Sequence, residues 1–120
     1  MTEKILEILE KIKPKYEQRL ELKDRILSIQ NEQSMLKINW LTEANAAEDN
    51  DGKQKFKNEA MREGYVKEKL HAHESFEIRN KLEKEMAELE VEIRMLELEF
   101  EANKAILLSK SGNTINFGGK

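Results

Sequence analysis

Cysteine is absent from the chain, which excludes disulfide staples, thiolate catalysis and the usual structural zinc sites. Proline occurs once, as Pro14, and three of the five glycines fall within the last nine residues. The two residues that interrupt regular structure most strongly are therefore nearly missing from the body of the chain. Aromatic residues make up only 6% and β-branched residues are few, so no strand is predicted. No stretch approaches the ~18 apolar residues of a membrane span, and the N-terminal MTEKILEILEKIK lacks the unbroken apolar centre of a signal peptide. These absences predict a soluble cytoplasmic protein that does not associate with membranes.

What is abundant is charge. The 120 residues are 38% hydrophobic and 38% charged, too little apolar material for a multilayer globule and a composition typical of coiled coils. The net charge of −3 is small against 21 basic and 24 acidic side chains. The total therefore implies neither general nucleic-acid affinity nor an acidic mimic of nucleic acid.

Apolar spacing predicts the architecture. Ile5, Leu9, Ile12 and Tyr16 step by four and three, the seam spacing of a packed helix. Pro14 lacks a backbone donor and crowds the preceding turn, which predicts a kink or short break near Lys13. The stripe then resumes in a shifted register as Leu22, Ile26, Ile29, Leu36 and Trp40, with Gln33 in the missing seam position. The first helix is thus expected over residues 1–48. Glu48, Asp49, Asn50, Asp51 and Gly52 have turn chemistry, since Asn and Asp bond their own backbone and Gly accepts positive φ. The hairpin turn is placed at 49–55. A second helix is predicted over 56–110, with its clearest seam at Leu82, Met86, Leu89, Ile93, Leu96, Phe100 and Leu107 and Asn103 at the one polar position. A flexible tail is expected over 111–120, where Ile115 and Phe117 are candidate anchors. The predicted fold is all-α: a long antiparallel helical hairpin of coiled-coil type.

A second apolar set, Val91, Met95, Leu98, Ala102 and Ala105, lies beside the first seam and widens the apolar arc beyond what one partner helix covers. It predicts self-association into a dimeric four-helix bundle, unless the kinked N-terminal segment folds over it instead.

Charge is polarised along the chain. From Lys53 to Lys69 six basic residues (Lys53, Lys55, Lys57, Arg62, Lys67 and Lys69) stand against Glu59, Glu63 and Glu68. With Phe56, Tyr65 and Trp40 nearby, this combines cations with stacking faces, as single-stranded nucleic-acid binders do. Lys53, Lys55, Phe56, Lys57, Arg62 and Tyr65 are the candidate nucleic-acid contacts; the competing reading is an ordinary solvated helix face with aromatics packed into the seam. From Glu88 to Glu101 the balance reverses, with six glutamates against Arg94 alone. That face repels itself unless a basic partner or a second subunit meets it, or it serves only solubility.

Glu68 and His71 have the Glu-x-x-His spacing of di-metal bundles, but the apolar line through Val66, Leu70 and His73 leaves them off the buried side, so no metal or other cofactor is expected. Asp49-Asn50-Asp51-Gly52 shares the opening of a calcium loop without its later acidic ligands. No nucleophilic triad or phosphate-cradling loop is recognisable, and no enzymatic activity is expected.

The segment Asp51-Gly52-Lys53-Gln54-Lys55-Phe56-Lys57-Asn58-Glu59-Ala60-Met61-Arg62, followed by the Glu/Leu-rich helix to Phe100, resembles small helical-hairpin proteins of bacteriophages and prophages over roughly residues 45–105. The resemblance implies a phage accessory protein in the host cytoplasm, linked to DNA replication and recombination or to a host system. The sequence as a whole therefore predicts a homodimeric interaction or adaptor protein with a further protein partner. Two alternatives are a nucleic-acid-binding accessory factor using the basic tip, with single-stranded nucleic acid as its ligand, and an inhibitor of a host or defence protein.

Overall fold

A computed structural model describes the backbone of residues 2–115 and the side chains of residues 2–110. Its regular elements are three helices, α1 (Thr2–Ala46), α2 (Glu59–Ala72) and α3 (Glu74–Ile115). The fold is all-α, with α1 running antiparallel to α3 as a helical hairpin. The chain divides into two compact units, one formed by residues 1–22 and 85–120, the other by residues 23–84.

In the first unit, α1 and α3 pair along apolar seams. Among its described residues, Ile8, Ile12, Leu22, Leu89 and Ile93 are the buried hydrophobic ones, each no more than 5% exposed. Removing such a side chain from water contributes about 1.5–3 kcal/mol. The antiparallel register is visible in cross-helix polar pairs: Lys4 with Glu99 at 3.4 Å, Lys15 with Glu92 at 2.5 Å, and the Tyr16 hydroxyl donating to Glu97 at 2.7 Å.

The short break allowed for at Pro14 does not occur, because α1 continues through it. Pro14 is exposed, so the Glu10 carbonyl that loses its donor lies on the water-facing side, and the seam residues on the other face keep packing. Nor does the register shift. Ile5, Ile8, Ile12, Lys15, Arg19, Leu22, Ile26, Ile29, Gln33, Leu36 and Trp40 form one uninterrupted three-four repeat, all buried or half-buried. Ile8 rather than Leu9 occupies the seam: Ile8 is 1% exposed and Leu9 43%. The apparent slip arises because Lys15 and Arg19 hold seam positions, their aliphatic stems serving as packing surface.

The second unit contains residues 23–46 of α1, the connection, α2 and the start of α3. The connection is a small hairpin. The Gly52 N–H donates to the Asp49 carbonyl at 3.1 Å, the Asp49 N–H to the Lys53 carbonyl at 2.7 Å and the Lys55 N–H to the Ala47 carbonyl at 2.9 Å, with an antiparallel bridge between Glu48 and Gln54. This pattern is a three-residue loop closed by a bulge, and it places Gly52 at φ 76°. The Asp49 carboxylate accepts from the Asp51 and Lys53 N–H groups at 2.8 and 3.0 Å, satisfying donors that the tight turn leaves over. Asn58 then caps α2, its side chain accepting from the Met61 N–H at 2.8 Å.

The long second helix expected over 56–110 is divided at His73, where ψ of 142° leaves the helical range. Several hydrogen-bonding groups at the break are paired locally. The His73 N–H donates to the Leu70 carbonyl, its carbonyl accepts from Phe76 N–H, and its ring Nδ1 accepts from Ser75 N–H at 3.1 Å. The ring thus caps α3 as a short polar side chain would. At its other end α3 reaches Ile115, past the expected stop. Ser109, Ser111 and Gly112 each cost no more than ~1 kcal/mol of helix propensity, too little to halt a helix already propagating. The rest of the predicted tail, with Phe117, lies outside the described residues.

Candidate interaction faces

On α3, seam and second stripe separate cleanly. Ser75, Arg79, Leu82, Met86, Leu89, Ile93, Leu96, Phe100, Asn103 and Leu107 are all buried or half-buried at four-three spacing. Of the seam's polar members, Asn103 turns its amide onto its own helix, donating to the Glu99 carbonyl at 2.8 Å. Val91, Met95 and Leu98 are 60%, 66% and 48% exposed, and Ala102 and Ala105 are exposed as well. At about 100° per residue the second stripe is centred roughly 160° from the seam. It therefore lies opposite the hairpin contact, not beside it, and the N-terminal segment, committed to the seam, does not fold over it. The same four-three repeat is thus written twice on one helix, once inward and once outward. Beside the outward stripe, Met95 borders a groove of about 700 Å³ shared with Lys11, Pro14, Gln18 and Leu96.

The acidic face around the stripe is less self-repelling than its composition suggests. Glu92 and Glu99 meet Lys15 and Lys4 from α1, and Arg94 lies 3.9 Å from both Glu97 and Glu101. Glu97 also accepts from Tyr16, and this bond to a carboxylate, with burial and the carboxylate's charge adding to it, raises the phenol above its ordinary range.

The candidate nucleic-acid contacts occupy the second unit. Lys53, Lys55 and Lys57 are exposed. Arg62 is half-buried and donates to the Phe56 carbonyl at 3.0 Å, so its guanidinium braces the connection against α2. The Phe56 and Tyr65 rings pack on each other, 4.8 Å between centroids, with Lys55 over one and Lys69 over the other at 5.5 Å. The Tyr65 hydroxyl donates to Glu43 at 3.0 Å, which raises its pKa. The sequence-predicted cluster is brought together, but its stacking faces are already engaged by each other and by lysines. Trp40 packs edge-on against His73 at 5.8 Å. Glu68 and His71 are both exposed, and His71 lies against Phe76. Among the described residues no three potential metal ligands cluster, and no helix is long and apolar enough to cross a membrane.

A polar network not singled out by motif lies in the seam of the second unit. Buried Gln33 donates through Nε2 to buried Ser75 at 3.2 Å and accepts from Arg79 at 2.7 Å, while the Ser75 hydroxyl lies 2.9 Å from His73 Nδ1. The signal was present in the spacing: stepping back from Leu82 by three and then four residues reaches Arg79 and Ser75. Beside it, Ile38, Leu41, Val66 and Leu70 line a shallow apolar groove of about 360 Å³ between α1 and α2. No residue of α2 is buried.

No family model matches the chain, and comparison with curated proteins and with solved structures likewise yields no match.

Proposed function

We propose that this chain is a non-enzymatic interaction protein that pairs with a second copy of itself through the outward stripe of α3. One observation carries the reading: Val91, Met95 and Leu98, three large apolar side chains roughly half to two-thirds exposed, lie in line at heptad spacing on the face turned away from the hairpin seam. Scattered exposed apolar residues are ordinary on protein surfaces, whereas a contiguous line at seam spacing is the form one helix presents to another. Covering the exposed half to two-thirds of each of these side chains contributes about 1–2 kcal/mol, from which the cost of association is subtracted. Ala102 and Ala105 extend the line and allow close approach of a partner backbone.

Outside the seam the charged residues are spread over outer faces, several of them in ion pairs at the stripe's edges, an arrangement that suits recognition. The basic connection supports a nucleic-acid reading less well, because Arg62 and both aromatic rings are engaged within the chain.

Thermal unfolding followed by circular dichroism over a hundredfold range of protein concentration tests the proposal. A self-associating chain melts at a temperature that rises with concentration. That dependence is expected for the native chain and should vanish for Leu98→Asp. Coincident melting curves at all concentrations would contradict the reading.

A further inference from the structure

Resting on that reading, we infer that the two copies meet with their α3 helices antiparallel, Met95 of each against the partner's Leu98 and Val91 against the partner's Ala102. Three features of the stripe point to this register. The apolar line is finite, since the same spacing continued outward reaches Glu88 on one side and Ser109 on the other. It is tapered, with bulk at Val91, Met95 and Leu98 and little at Ala102 and Ala105. A parallel pair would stack bulk on bulk at one end and leave a hollow at the other, a loss of contact that packed interfaces avoid. The antiparallel pair sets the small end of each copy on the large end of the other and closes symmetrically, as an isologous two-fold contact requires.

The flanking charges are self-complementary in the same register. Arg94 and Glu101 border one edge of the stripe, with side chains 59% and 62% exposed, and their contact within the chain is only 3.9 Å. The guanidinium has five donors. Antiparallel pairing brings Arg94 beside the partner's Glu101, and the two-fold axis repeats the pair. Along the other edge Glu92 comes to face the partner's Glu99, a like-charge approach that Lys15 and Lys4 already offset within each copy. A parallel arrangement puts Arg94 beside the partner's Glu99, a carboxylate that Lys4 already holds. Because the stripe lies opposite the seam, the first units of the dimer form a row, α1, α3, then the partner's α3 and α1, rather than a square bundle.

The cysteine-free sequence permits a direct test by disulfide trapping. Val91→Cys and Ala102→Cys are prepared separately, mixed under mild oxidation, and the products read by intact mass, with Ala60→Cys as an exposed control away from the stripe. The inferred register predicts a mixed Val91→Cys/Ala102→Cys dimer well above the control level, with little self-linked product from either variant alone. Self-linked Val91→Cys with no mixed product would overturn the antiparallel arrangement while leaving self-association standing. No product above the control, together with a monomeric native chain in sedimentation, would overturn self-association itself. Unchanged helicity by circular dichroism in each variant shows that the fold is intact.

Discussion

Gln33 on α1 and Ser75 on α3, 42 positions apart in sequence, are joined by a 3.2 Å hydrogen bond although each is only 2% exposed. Polar groups removed from water to that degree are costly unless paired. Both are fully answered: Gln33 also accepts from Arg79, and Ser75 lies within hydrogen-bond distance of the His73 ring. The seam of the second unit is consequently specified by a polar layer in place of the apolar residues found elsewhere along it.

Replacing Gln33 by Ala is expected to cost about 1–3 kcal/mol, since it leaves buried partners with fewer bonds. In urea unfolding, Gln33→Ala and Ser75→Ala together should destabilise by less than the sum of the single changes, because the second removes a group that the first has already orphaned. Strict additivity would show that the two residues do not act as one network.

Pro14 lies inside α1 on its exposed face, where it has no backbone N–H to donate to the Glu10 carbonyl and takes no part in the buried core. Pro14→Ala should raise stability by up to ~3 kcal/mol, by restoring the bond to the Glu10 carbonyl and removing the ring's clash. A lower melting temperature for this variant would show that the proline has a structural task the fold does not reveal.

The pKa of the Tyr16 phenol is raised above its ordinary value by its hydrogen bond to Glu97, then by burial and by the same carboxylate's charge. The protonated, neutral form is therefore the one that the folded state favours. This contribution to stability is complete below the phenol's unfolded pKa and is lost as pH climbs through the higher folded value. Ultraviolet titration should show one tyrosine deprotonating later in the native chain than in its Glu97→Gln variant, and Tyr16→Phe should flatten the fall in stability above about pH 10. Identical titration curves for the two chains would break the assignment.

Ile93 and Met95 are two residues apart, yet one is 1% and the other 66% exposed. Ile93→Asp should cost several kcal/mol, comparable with the whole stability of a small domain, because the carboxylate would enter the seam unpaired. Met95→Asp should leave the helix content of the chain nearly unchanged. Equal losses of helicity would mean that the two faces are not distinct.

Much of this arrangement was legible in the spacing of apolar residues. The seam from Leu82 to Leu107 lies where its four-three repeat places it, and the Asp-Asn-Asp-Gly segment turns as its side-chain chemistry dictates. The first helix was harder to read because a hydrophobic pattern hides seam positions held by Lys15 and Arg19, and Leu9 offered itself in place of Ile8. Pro14 then lent weight to a break that packing on the opposite face overrides. The break at His73 has no proline or glycine to announce it, since an imidazole nitrogen replaces the usual Ser, Asp or Asn cap. The outward stripe was visible as composition, but its position opposite the seam emerged only once the seam residues were seen buried and Val91, Met95 and Leu98 exposed.

Sedimentation equilibrium of the native chain beside Leu98→Asp tests most directly whether α3 carries one face for its own hairpin and another for a second copy. A native mass approaching twice that of the chain as concentration rises, with the variant remaining at the single-chain mass and equally helical, is the predicted result. A native chain that stays at the single-chain mass throughout would contradict it.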